Sequence, residues 1–93
     1  MGYKNTHLDN LYTYLENNAQ KVKIQSKLDQ LEEKLEKLDE QISHFESFGF
    51  KETVDSLCKN YNIYNVIRIK LNLKLVELEK ALLEFELAAA LRN

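Results

Sequence analysis

Residues 28–45, LDQLEEKLEKLDEQISHF, decide the fold. Leu28, Leu31, Leu35, Leu38, Ile42 and Phe45 recur at alternating steps of three and four, and the residues between them are polar or small. On a helix this spacing gathers the apolar side chains into one stripe. That stripe is the a/d seam of a helix built to lie along another helix.

Toward the C-terminus the seam ends near Ser47, and Phe48, Gly49 and Phe50 follow. Gly49 is the only glycine inside the chain, since the other is Gly2 and there is no proline. A glycine just past the last periodic residue is the expected helix stop, because it takes a positive φ without a Cβ clash. A second helix is predicted from about residue 51 to 92, with Glu52 and Asp55 in its first turn. Val54, Leu57, Tyr61, Tyr64, Leu71, Leu75, Leu78, Leu82, Phe85 and Ala89 give it a seam, broken only by Arg68. Two helices of about 60 Å joined by a short turn must run antiparallel. A turn centred on Gly49 pairs positions whose numbers sum to about 98, which brings apolar seam against apolar seam. The expected fold is all-α: one helical domain over residues 1–93, an antiparallel hairpin that completes a four-helix bundle by dimerisation.

Toward the N-terminus the reading forks. Residues 1–5 carry no pattern and are expected to fray. Thr6 and Asp9 are spaced like helix-capping residues, so helix 1 is expected over about residues 7–47. Leu8, Leu11, Leu15, Ala19 and Val22 continue at helical spacing, but out of phase with the Leu28 seam. Counting back by sevens lands on Lys21 rather than Val22. Asn17, Asn18 and Gln20 lie between. The helix either changes face locally, the preferred reading, or breaks near Asn17 to give three helices. Residues 67–75, IRIKLNLKL, alternate like a half-buried strand. Helix is preferred there, because no second alternating segment exists to pair with it. A strand formed across an oligomer is the alternative.

Read as helix, the same stretch makes helix 2 apolar on two sides. Val66, Ile69, Leu73, Val76, Leu83 and Leu87 form a face that helix 1 cannot cover. An uncovered apolar stripe of that length marks a partner-binding surface, for a second copy or another helical protein. The preferred function is therefore a small adaptor or chaperone-like protein that binds an amphipathic helix of a partner. A structural coiled-coil assembly protein is the third reading.

Charge offers a different class. The net charge is −2 with 30% charged residues, so no global field draws in nucleic acid or membrane. Locally, Asp29, Glu32, Glu33, Glu36, Asp39 and Glu40 form an acidic block, while residues 56–76 hold no acid. Lys21, Lys23, Lys27, Arg68, Lys70 and Lys74 make a candidate polyanion-binding girdle, which would serve a dimeric nucleic-acid-binding hairpin. Arg68, at a seam position, is expected to reach Asp29 or Glu33 across the hairpin or to fix register.

Little points to chemistry. His7, His44 and Cys58 are the only candidates for nucleophile, base or soft-metal ligand. They do not make the four-ligand set of structural zinc, and Cys58 reads as a small core residue. No glycine-rich phosphate loop is present, and carboxylates spread along a helix make no concave pocket. No enzyme activity, cofactor or metal is expected. Residues 1–15 do not read as a signal peptide and no run of about 20 apolar residues exists, so a cytoplasmic protein with a reduced thiol is expected. The frequency of Asn and Lys is associated with AT-rich genomes and so with a bacterial or phage origin. In size, acidity and helix pattern the chain resembles the small helical-hairpin chaperones of bacterial flagellar and type III export systems. That resemblance implies shielding of a partner's amphipathic helix.

Overall fold

The computed structural model describes residues 2–92, and the side chains of residues 9–92. Helix α1 is Gly2–Ser47 and helix α2 is Lys51–Arg92, and the two pack against each other as a hairpin. Among the described residues there is no strand, so residues 67–75 are helical. α1 runs unbroken through Asn17 and Asn18, which excludes the three-helix alternative. Each Asn costs only tenths of a kcal/mol relative to good helix formers, and neither Gly nor Pro interrupts this segment. α1 begins at Gly2, earlier than the expected start. The expected capping at Thr6 lies outside the described side chains.

The seam positions can be lettered a and d of a seven-residue repeat. In α1 they are Tyr14, Asn17, Lys21, Ile24, Leu28, Leu31, Leu35, Leu38, Ile42 and Phe45, and each is buried or half-buried. In α2 they are Val54, Leu57, Tyr61, Tyr64, Arg68, Leu71, Leu75, Leu78, Leu82 and Phe85, all likewise shielded. The upstream apolar run of α1 is therefore not seam. Leu11, Leu15 and Val22 are 40%, 52% and 65% exposed, while Asn17 and Lys21 stand where the repeat from Leu28 puts them. The reason is mechanical. Bringing Val22 inward requires a local rewinding of the helix that would throw Ile24 and Leu28 off the seam. The long apolar block sets the phase, and the weaker run inherits it.

Packing falls into two compact units, Ser26–Asn72 around the turn and Met1–Gln25 with Leu73–Asn93 at the open end. In the open-end unit the Tyr14 ring stacks on Phe85 with centroids 4.5 Å apart. The Tyr14 hydroxyl donates to Glu86 Oε1 at 3.0 Å. Tyr14 and Phe85 sum to 99, so each a position lies level with a d position, one residue on from the pairing expected. In the turn unit the same alternation sets Leu28 level with Leu71, Leu35 with Tyr64 and Phe45 with Val54. The core is thin. Among the described residues only Ile24, Leu28, Leu35 and Leu82 are buried, at 5–6% exposure. Two helices have one line of contact, and every seam side chain keeps an edge toward water.

The turn is built by Gly49, at φ +76°. The Phe50 N–H donates to Phe45 O at 3.2 Å and the Gly49 N–H to Glu46 O at 3.0 Å. These two bonds make a Schellman motif and satisfy carbonyls at the end of α1. Its usual apolar contact is present as well, with the Phe45 and Phe50 rings 6.0 Å apart. The Val54 N–H then donates to Phe50 O at 3.0 Å and opens α2.

A Cβ at residue 49 would meet nothing within 4 Å, so the cost of a side chain there comes from backbone conformation alone. Gly49→Ala is expected to lower unfolding free energy by about 1–2 kcal/mol in urea titration, and Gly49→Asn by less. Equal losses for both would show that something other than the left-handed φ is at stake.

Candidate functional site

Position in the repeat decides what each surface side chain faces. Positions e and b line one flank of the hairpin, g and c line the other, and f points away from the seam. Between residues 66 and 87 the f and b positions of α2 are Val66, Ile69, Leu73, Val76, Lys80, Leu83 and Leu87. Their centre lies about 150° around the helix from the a/d seam at 100° per residue. Within the turn unit Val66 and Ile69 are exposed, and within the open-end unit so are Leu73, Val76, Leu83 and Leu87. Val76, Leu83 and Leu87, rimmed by Glu79, Lys80 and Glu84, form a shallow depression of about 450 Å³. The face expected from the sequence is thus open to solvent in full. Leu11, Leu15 and Val22 make a second, shorter stripe at e and b of α1.

The charged residues are sorted around the turn unit as well as along it. Its g and c positions carry Lys27, Lys34, Lys37 and Lys70 with no acid among them. Its e and b positions carry Asp29, Glu32, Glu36, Asp39, Glu46 and Asp55, with Lys51 in the first turn of α2 as the single base among them. The basic flank holds a groove of about 430 Å³ lined by Lys27, Lys34, Lys37, Gln30, Leu31, Tyr64, Ile67 and Leu71, with Glu33 at its edge as the one acid. Lys34 Nζ sits 4.8 Å from the centre of the Tyr64 ring, a cation–π contact. Lys37 pairs with Glu33 at 3.6 Å, the favourable i,i+4 pair of the acidic block, and both side chains are about 70% exposed. Such a pair stabilises by only a few tenths of a kcal/mol.

The six cations of the girdle occupy different situations. Lys21 and Arg68 are seam residues and half-buried. Lys23 and Lys70 are at c, and Lys27 and Lys74 at g. Lys34 and Lys37 belong to the basic flank and were missed, because grouping by acid-free runs hides what the seven-residue repeat sorts. Arg68 does not reach Asp29 or Glu33. Its Nε and Nη2 donate to Asn65 Oδ1 at 3.1 and 2.7 Å, one turn back on its own helix. The reason is position: an a residue lies level with the apolar d residue of α1, here Leu31, whereas the two acids stand at outward positions b and f.

The other candidates stay scattered. The His44 ring lies edge-on to Phe45 and Phe48, with centroids 5.4 and 4.9 Å away. Cys58 is a half-buried free thiol at an e position, on the flank opposite His44 at c. The His7 side chain lies outside the described residues. Tyr14, Tyr61 and Tyr64 are in the seam, whereas Tyr12 is 63% exposed. Among the described residues no three His, Cys, Asp or Glu side chains converge as a metal site. No described helix is long and apolar enough to cross a membrane. No protein-family model, curated protein or solved structure matches the chain.

The Arg68 guanidinium is half-desolvated and has a neutral partner. Arg68→Leu is therefore expected to raise unfolding free energy by about 1 kcal/mol, since a seam leucine replaces a costly cation. A drop of that size would mean the Asn65 bonds outweigh the desolvation.

Proposed function

We propose that this protein is a helix-docking module, a small adaptor or chaperone-like hairpin whose outer α2 face receives an amphipathic helix. One observation carries the reading. Val66, Ile69, Leu73, Val76, Leu83 and Leu87 follow a strict three-and-four repeat, broken only by Lys80, and each is 48–64% exposed. That is a second seam, about 30 Å long at 1.5 Å per residue, with no helix against it. An isolated hairpin with four buried residues among those described is marginal, so burial of this stripe is a large share of the stability available to it. The work done is burial of a partner's apolar face and ordering of that partner.

Leu73→Asp with Leu83→Asp tests the face without touching the core, because both side chains are more than 60% exposed. The wild-type protein is expected to bind an apolar dye or to run above the 11.0 kDa of one chain. The double variant should lose both properties and keep its helical circular dichroism. An association unchanged by the two aspartates would contradict the reading.

A second reading rests on the acid-free flank of the turn unit. Lys27, Lys34, Lys37 and Lys70 there can neutralise phosphates of a nucleic acid or another polyanion, in a salt-dependent way. It predicts retention on a polyanion column that salt abolishes, and flow-through at low salt would contradict it.

A further inference from the structure

We infer that the helix received by the outer face of α2 is α2 of a second copy of this chain, laid antiparallel about a twofold axis between Lys74 and Leu75. The inference rests on the helix-docking reading and adds the partner and its direction. Charge is the argument. α2 is basic in its middle, with Arg68, Lys70 and Lys74 and no acid from Ser56 to Val76. It is acidic beyond that, where Glu77, Glu79, Glu84 and Glu86 outnumber Lys80 and the terminal Arg92. The exposed stripe runs across both regions. A stripe bordered by Lys70 toward one end and by Glu77, Glu79, Glu84 and Glu86 toward the other is complementary to itself when reversed.

The repeat selects one register. Antiparallel seams set one kind of seam position level with the other, as a lies level with d inside the hairpin. Applied to f and b, this places Val66 level with the second copy's Leu83, and Leu73 with the second copy's Val76. Ile69 falls beside the methylene stem of the second copy's Lys80, whose ammonium reaches water past the edge of the stripe. The c positions bordering the stripe then bring Lys70 beside the second copy's Glu77, twice by symmetry. The e positions bring Asn72 beside the second copy's Glu79. A shift of one heptad toward the C-terminus instead sets Glu77 against Glu77 and Glu79 against Glu79. A parallel pairing sets Glu79 against Glu84. Like charges opposed across a helix interface disfavour both arrangements. The symmetry is isologous, so it closes at two copies.

The test uses the full chain with Cys58→Ala, so that each introduced thiol is alone. Val66→Cys and Leu83→Cys chains, prepared separately, are mixed and treated with a short thiol cross-linker. The expected result is a cross-link in the mixture and none in either variant by itself. Alongside it, Lys70→Glu and Glu77→Lys should each weaken dimerisation roughly five- to thirtyfold, as loss and reversal of two exposed pairs implies. Both changes in one chain should restore it. Cross-linking of Val66→Cys chains to one another would overturn the antiparallel direction and leave the docking face intact. A single-chain mass with dye binding that Leu73→Asp abolishes would overturn the second copy as occupant while keeping the docking reading. A dimer indifferent to all these changes would overturn both.

Discussion

One constraint governs this molecule: two helices share one line of contact, and α2 carries two lines of apolar side chains. The a/d stripe is consumed by the hairpin, where Ile24, Leu28 and Leu35 of α1 are buried. The f/b stripe lies about 150° away at 100° per residue, beyond the reach of α1. No rotation of α2 covers both, because turning one stripe inward turns the other out. The fold therefore contains its own unfinished surface, and the functional reading follows from packing before any question of chemistry.

The seam itself is not uniformly apolar. Asn17, Lys21 and Arg68 occupy a or d positions, and each lowers the stability of the pair relative to leucine. Each stands level with an apolar residue of the other helix, Asn17 with Leu82, Lys21 with Leu78 and Arg68 with Leu31. The charge of the turn unit is sorted between its two flanks. With Lys27, Lys34, Lys37 and Lys70 on one flank and six carboxylates against Lys51 on the other, two copies meeting with like flanks repel.

Much of this was legible in the residues. The block from Leu28 to Phe45 announces its helix, Gly49 announces the turn, and the outer stripe from Val66 to Leu87 follows once residues 67–75 are taken as helix. What misled was local. Leu11, Leu15 and Val22 look like a seam when read alone, and only the phase imposed by the longer apolar block shows that they face outward. Ile24 was hidden for the same reason, as it belongs to a phase the upstream run contradicts. Arg68 could not be assigned a partner from spacing, because the choice between a cross-helix carboxylate and Asn65 depends on side-chain reach at a packed seam. The flanks of charge were hidden by reading along the chain instead of around the helix.

The central claim is that the hairpin is completed by covering α2 with a second copy, so folding and association are one equilibrium. Its most direct test is the dependence of the unfolding midpoint on protein concentration. A dimer that folds as it assembles gains about 1.4 kcal/mol of apparent stability for each tenfold rise in concentration. The urea midpoint should therefore climb steadily from low to high micromolar protein. A midpoint that stays fixed across that range would mean that the two helices stand alone, and it would contradict the account.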